Sequence, residues 1–322
     1  MHLQTSEIFV FMNNGSPNMN CFISSKSVFK ATFIIIFLIQ VTTSFSQNRR
    51  STNPFLVDYS DPDTVPGMSL IWNEEFNYTG IPNSSNWGYE YGFVRNEELQ
   101  WYQPQNAYVS DGRLEIKGKN EKIVNPHFNE NSGSWRTKRE FAEYTSACII
   151  TKNLHEWNGS GYFEIRAKID TSMGSWPAIW LLGTEGRWPD NGEIDIMEFY
   201  RIKKGPTILA NVAWGSQTEY QPVWSSTKKS LSDFISHDPQ WANKYHIWSM
   251  KWDSSEIQIF LDDELLNKTD LSQTINADGA NPFANDNRFY LLLNLAIGAN
   301  GGNPAHSKFP IKFEVDYVRI YQ

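Results

Sequence analysis

A chain of 322 residues, 40% hydrophobic and 15% aromatic, with a net charge of −8, holds enough apolar material for one large domain or two small ones. The acidic balance, about −9 once Glu7, Lys26 and Lys30 leave with the segment described next, excludes a basic nucleic-acid surface and argues mildly against sulfated or uronate-rich polymers; a neutral polysaccharide fits better. Thirteen tryptophans exceed what a core of this size needs.

Residues 31–39 form an apolar run too short to span a bilayer, preceded by Lys26 and Lys30 and followed by Ser44-Phe45-Ser46-Gln47 with small residues at both cleavage-determining positions. Residues 1–46 therefore read as a secretory signal peptide cut after Ser46, and the mature chain is expected in the periplasm or outside the cell, with no membrane partner once the signal is gone. Met12 and Met19 leave the true start open. Cys21 departs with the signal, so Cys148 is the only cysteine of the mature chain and no internal disulfide forms. Ser-Ala-Cys-Ile-Ile around Cys148 reads as a buried strand, which makes that thiol a packing group. Residues 47–67, with Asp61-Pro62-Asp63 and Pro66, read as a flexible lead-in.

The folded domain is expected over 68–322. It opens with a strand at 70–76, and a polar, aromatic stretch from Arg95 to Tyr102 reads as cleft wall. A hairpin follows at 107–109 and 114–117, turning at Asp111-Gly112. After an irregular region at 120–140, strands recur at 145–151, 161–169, 178–182, 194–199, 208–214, 245–253, 256–261, 289–296 and 313–321. The one short helical piece falls at 231–235. Phe163, Ile165, Ala167 and Ile169 alternate with polar residues, as one buried sheet face requires. Short strands, Gly/Asn/Pro turns and no crossover helix give a single all-β domain of two antiparallel sheets, expected as a monomer.

The stretch Trp188-Pro189-Asp190-Asn191-Gly192-Glu193-Ile194-Asp195-Ile196-Met197-Glu198-Phe199-Tyr200 sets three carboxylates into a strand-forming run. In a regular strand Glu193, Asp195 and Met197 point one way and Glu198 the other. A one-residue bulge at Ile196 or Met197 returns Glu198 to the Glu193 side, and bulges are common beside active sites. Three acids on one partly dehydrated face cannot all ionise, and one ionised carboxyl beside one protonated carboxyl is the equipment for breaking a glycosidic bond. Trp176, Trp180, Trp188 and Trp214 bracket the acids and supply flat faces for sugar rings. The histidines are scattered without metal-ligand spacing, and no phosphate loop, dinucleotide fingerprint or Gly-x-Ser-x-Gly elbow is present, so no cofactor is expected for catalysis.

Trp176-Pro177-Ala178-Ile179-Trp180-Leu181-Leu182, Gly192-Glu193-Ile194-Asp195-Ile196-Met197-Glu198 and the closing Val315-Asp316-Tyr317-Val318-Arg319-Ile320-Tyr321-Gln322 resemble glycoside hydrolase family 16, in its laminarinase-like endo-β-1,3(4)-glucanase branch. The resemblance implies a concanavalin A-like β-jelly-roll of two curved antiparallel sheets with the polysaccharide in a concave cleft. It implies Glu193 as nucleophile, Glu198 as general acid/base and Asp195 as the helper between them, with retention of configuration. A retaining pair needs carboxyls about 5 to 5.5 Å apart, whereas five strand residues span about 16 Å, so curvature, bulge and side-chain lean must close the gap. By the same resemblance Trp176, Trp180, Asn96 and Glu98 line the cleft, and Trp101 adds a stacking platform nearby. A structural Ca2+ would be held by Glu75, the Gly112 carbonyl and Asp316, oxygen ligands of the kind calcium takes.

Asn211-Val212-Ala213-Trp214-Gly215-Ser216 stands where many laminarinases carry a histidine, and Tyr220 and Trp224 follow as further cleft aromatics. Laminarin-like β-1,3-glucan, mixed β-1,3/1,4-glucan, agar-type β-galactan and host O-glycans with β-galactosyl links all stay open as substrates of a secreted endo-hydrolase. The alternative from another class is a lectin-like binder on the same fold, which has no need of Glu193 and Glu198 together.

Overall fold

The computed structural model describes residues 64–322, Asn285 excepted. Contacts divide the chain into units Met1–Val57 and Asp58–Gln322, and every described residue belongs to the second. The signal peptide expected at 1–46, Cys21 within it and all but the end of the 47–67 lead-in lie outside the described residues.

Two sheets pack face to face as a β-jelly-roll sandwich. In the ten-stranded sheet the order runs Glu264–Asp270, Glu256–Leu261, His246–Trp252, Gly161–Lys168, Ile311–Tyr321, Arg113–Val124, Phe141–Ser146, Gln100–Tyr102. Leu70–Glu74 is added against the closing strand and Ala107–Ser110 against Arg113–Val124. The eight-stranded sheet runs Pro222–Ser230, Gly205–Gly215, Glu193–Ile202, Ser175–Gly183, Arg288–Ile297, Cys148–Ile150, Gly88–Tyr89, with Trp157–Asn158 also on Arg288–Ile297. Pairing is antiparallel except between Gln100–Tyr102 and Phe141–Ser146.

Period-2 alternation decides which side of each strand meets the core. Phe163, Ile165 and Ala167 from one sheet meet Ile179, Leu181, Leu291 and Leu293 from the other in one continuous buried cluster. Residues of opposite parity in the eight-stranded sheet, Trp176, Ala178, Trp180, Leu292 and Asn294, lie on the face turned away from that core, which is the site face. Cys148 is fully buried on that side, packed with Tyr102, Trp180 and Tyr290.

Besides the short pieces Gly88–Tyr89, Gln100–Tyr102 and Trp157–Asn158, two longer strands go beyond the sequence reading. Pro222–Ser230 is a polar edge strand whose lysines and serines give no apolar alternation, a composition that also protects a sheet edge from further pairing. Glu264–Asp270 follows a tight turn in which Asp262 and Asp263 both take positive φ, 48° and 68°. The Glu193–Ile202 and Gly205–Gly215 hairpin turns in the same way through Lys203 and Lys204, φ 49° and 72°. Neither pair carries the glycine that announces such a turn in sequence. The region at 120–140 is more regular than expected, since Arg113–Val124 continues into it and Trp135 begins a short helix, Trp135–Lys138.

Candidate active site

The acid strand Glu193–Ile202 contains the bulge. Asp195 pairs with Asn211 but Glu198 pairs with Leu209, so two residues of the acid strand oppose the single Ala210 of its neighbour. On its other side Ile179 pairs with Met197 and Trp180 with Asp195, leaving Ile196 as the extra residue. Ile194, Ile196, Met197 and Phe199 all enter the core. The consecutive inward pair Ile196-Met197 shifts the alternation by one and brings Glu198 onto the site face with Glu193 and Asp195.

Asn211 joins two of the acids. Its Nδ2 donates to Asp195 Oδ2 at 2.9 Å and to Glu198 Oε2 at 3.1 Å, while its Oδ1 accepts from the Ser226 hydroxyl at 2.6 Å, which fixes the orientation of the amide. Each glutamate also has an indole donor. Trp176 Nε1 donates to Glu198 Oε1 at 3.0 Å and Trp188 Nε1 to Glu193 Oε2 at 2.5 Å. Tyr200, two residues after Glu198, packs edge-on against Trp176 at 5.3 Å.

Burial and crowding push all three carboxyls up. Asp195 rises well above the usual aspartate range through burial and then the charges of Glu198 and Glu193, so it keeps its proton. Glu198 is pushed up to about 7 by burial and by Glu193. Burial raises Glu193 too, but hydrogen bonds from Trp188 and Asp195 and the positive charge of Arg95 oppose it. The pull toward the protonated form is therefore strongest at Asp195 and most opposed at Glu193, while Glu198 is poised to give or take a proton near neutral pH.

Trp180 lies on the same face, with its indole N–H donated to Asn294 Oδ1 at 2.7 Å. Asn294 Nδ2 donates to the Tyr102 hydroxyl at 3.1 Å, and that hydroxyl donates to Glu98 Oε2 at 3.3 Å. Glu98, 2% exposed, also accepts from Gln100 at 2.6 Å and Asn96 at 3.3 Å. Asn96 and Glu98 thus reach the site through a buried chain that ends on the indole of Trp180. The guanidinium of Arg95 caps the Trp180 ring 5.0 Å from its centre and pairs with Glu90.

The model of the family described as Glycosyl hydrolases family 16 matches residues 98–317. The chain belongs to glycoside hydrolase family 16. A beta-glucanase of Rhodothermus marinus is 33% identical over 81% of this chain and 87% of its own length. A glucan endo-1,3-beta-glucosidase of Niallia circulans is 32% identical over 88% of this chain, which spans only 43% of that longer protein. A solved structure from work on endo-acting O-glycanases that human gut microbiota express to initiate mucin breakdown superposes with a TM-score of 0.72 at 32% identity, covering 81% of this chain and 94% of that one.

Three expectations change in the structure. Trp214 points into the core, 8% exposed, because it shares the parity of Ile208, Ala210 and Val212; the aromatic on the site face here is Trp224, which pairs with Ala213 and lies two residues from Ser226 on that face. Trp101 points to the opposite side of its strand from Tyr102 and packs against Phe93 at 5.4 Å and His127 at 6.4 Å, away from the acids. The calcium set does not fit: Arg319 donates to both carboxylate oxygens of Glu75, at 2.9 and 2.7 Å, and Arg166 holds Asp316 at 2.5 Å. Two guanidinium charges stand where a cation would need free carboxylates. Gly112 serves its turn at φ +70°.

Sequence reading passed over Arg95, Asn211, Asn294 and Tyr200 as site residues. Asn294 carried a usable signal, since a lone amide inside Leu291-Leu292-Leu293-Asn294-Leu295 must find a hydrogen-bond partner or be strongly disfavoured.

Proposed function

We propose that this family 16 glycoside hydrolase is an endo-acting, retaining enzyme that cleaves β-1,3- or mixed β-1,3/1,4-glucan. The carrying observation is the bulged register that puts Glu193, Asp195 and Glu198 on one face, where burial raises all three carboxyls and the groups around Glu193 oppose that rise. Glu193, ionised, attacks the anomeric carbon while Glu198, protonated, gives its proton to the leaving oxygen. Glu198 then takes a proton from water, which releases the sugar from Glu193 with two inversions and net retention. Asp195 stays protonated and hydrogen-bonded to Glu193, limiting repulsion within the trio. Each proton in this scheme is moved by a side chain of the chain itself.

Trp188 and Trp224, 40% and 42% exposed, offer ring faces to successive sugars, while the nearly buried Trp176 and Trp180 form the floor beneath them and hold Glu198 and Asn294 through their indole N–H groups. The names of the relatives in Rhodothermus marinus and Niallia circulans support a glucan substrate. A second reading, an endo-hydrolase of β-galactan or host O-glycan chains, is favoured by two observations. The site face opposite Glu193 carries the small Ala213, in the segment where many laminarinases place a histidine, and the O-glycanase structure superposes well. The signal-like run at 31–39 supports action outside the cytoplasm.

Incubation of the protein with laminarin, mixed-linkage glucan, agarose and mucin-type O-glycans, with sizing of products and NMR of the first-formed anomer, tests the reading. Short-to-medium oligosaccharides of retained configuration from a glucan are expected. Glu193→Ser should abolish turnover while leaving binding largely intact, and Glu198→Gln should cut kcat by roughly 10²- to 10⁴-fold. Binding without cleavage by the unaltered protein would make it a lectin instead.

A further inference from the structure

We propose that Trp188 is a positioning residue for Glu193, a side chain that aims the nucleophilic carboxylate through its indole N–H while presenting its ring to the sugar. The inference rests on the assignment of Glu193 as nucleophile and adds to it a residue whose expected role was stacking alone.

The indole N–H of Trp188 is spent on Glu193 Oε2 at 2.5 Å, yet the residue remains 40% exposed, so its ring stays available on the surface. The loop that carries it is tied down at three points. Asn191 Nδ2 donates to the Gly183 carbonyl at 2.8 Å, Asn276 Nδ2 to the Asp190 carbonyl at 2.8 Å, and the Arg187 guanidinium to the Tyr220 hydroxyl at 2.7 Å. At Gly183 an added Cβ would lie 1.9 Å from the Asn191 carbonyl oxygen, and at Gly215 it would lie 1.9 Å from Asp190 Oδ1. The chain is packed against the strand ends at both places. An indole held this way is preset in position before substrate arrives.

Indole N–H can donate but never accept, so the bond to Glu193 favours its carboxylate over its acid form. The other groups facing Glu193 are Asp195 and Glu198 from its own strand, Arg95 from the segment over Trp180, and Tyr290 from Arg288–Ile297; its partner on Gly205–Gly215 is the uncharged Ala213. Of these, Arg95 adds a favourable charge and Glu198 an unfavourable one. Two neighbouring indoles are committed elsewhere, Trp176 to Glu198 and Trp180 to Asn294. A sugar stacked on the Trp188 ring would hold the same side chain that aims the nucleophile, which links occupancy of that sugar site to the bond-forming step.

Trp188→Phe keeps a ring and removes the donor. Measured as kcat/KM against pH on the best polysaccharide found above, it should move the acid limb up by about one unit and lower kcat by about tenfold, with a smaller change in KM, as expected for losing one hydrogen bond to a charged group. An unchanged acid limb with only KM raised would reduce Trp188 to a plain platform and overturn the proposal. If thermal melting shows the variant misfolded, Tyr220→Phe, which releases one tie of the loop and leaves Trp188 in place, should shift the acid limb in the same direction by less; no shift there overturns it equally. Glu193→Ser is assayed in parallel, and residual turnover in that variant would sink the nucleophile assignment itself, whatever Trp188 does.

Discussion

Each glutamate has its own tryptophan donor, so the two can be perturbed one at a time. Trp176 favours the ionised form of Glu198, so Trp176→Phe should raise Glu198 above its value of about 7 and carry the alkaline limb of kcat/KM to higher pH. The direction follows from the role, because the free enzyme needs Glu198 protonated and a higher pKa keeps the proton on longer. An alkaline limb that stayed put or moved down in the pH profile would show that this hydrogen bond does not set the acid. The three acids were legible in the sequence because carboxylates are foreign to a run of Ile, Met and Phe. Asn211, which ties Asp195 to Glu198, was noticed only as a departure from the histidine pattern, since an amide between Ala210 and Val212 says nothing about which carboxylates lie across the strand gap. Arg95 was hidden for a different reason: it comes from a loop 85 residues from Trp180 in sequence, and periodicity carries no information about such distant meetings.

At the scale of the strand, parity decides function, and a single tryptophan tests it. Trp214 shares its face with core residues while Trp224, on the neighbouring edge strand, shares a face with Ser226 and the site. Trp214→Ala should cost about 3 to 5 kcal/mol of stability, read as a fall in denaturation midpoint, with KM little changed. Trp224→Ala should leave the midpoint near its original value and raise KM roughly two- to tenfold through the loss of one stacking contact. The reverse pattern would mean that the register of these two strands is misassigned. Strands with apolar alternation were read correctly, as at 161–169 and 208–214. The polar edge strand Pro222–Ser230 was not, because an edge strand needs no buried stripe. The strand after Asp262-Asp263 was missed because Glu264–Asp270 offers no clean apolar alternation: Leu265 is exposed while Leu266 and Asn267 are both buried. The bulge was legible because chemistry and alternation disagreed about Glu198, and an extra residue was the smallest change that reconciled them.

For the molecule as a whole, the site sets stability against activity. The Glu198 pKa is raised in the folded state, so the stability it contributes is complete below about pH 4.5 and is lost as pH rises through about 7. At 1.36 kcal/mol per unit this amounts to at most about 3 kcal/mol, and Asp195 acts in the same direction. Glu115, whose pKa is lowered despite burial by Lys117 and Lys312, weakens the fold only as pH falls below the same window. The melting temperature should therefore decline between pH 5 and 7.5, and Glu198→Gln should flatten that decline and melt higher at pH 7.5. A parallel decline in the variant would assign the pH dependence to other groups. With Arg319 and Arg166 already seated on Glu75 and Asp316, neither added calcium nor a chelator should move the melting temperature, since a ligand stabilises only a protein it binds; a rise with calcium would show that the arginines yield to the ion. The inward pair Ile196-Met197 has a last consequence. Because those two side chains lock the backbone phase beneath the acids, the spacing between attacking oxygen and proton donor is gauged by hydrocarbon on the far side of the strand. Trimming a methyl group there should disturb catalysis from beneath, with no polar atom altered.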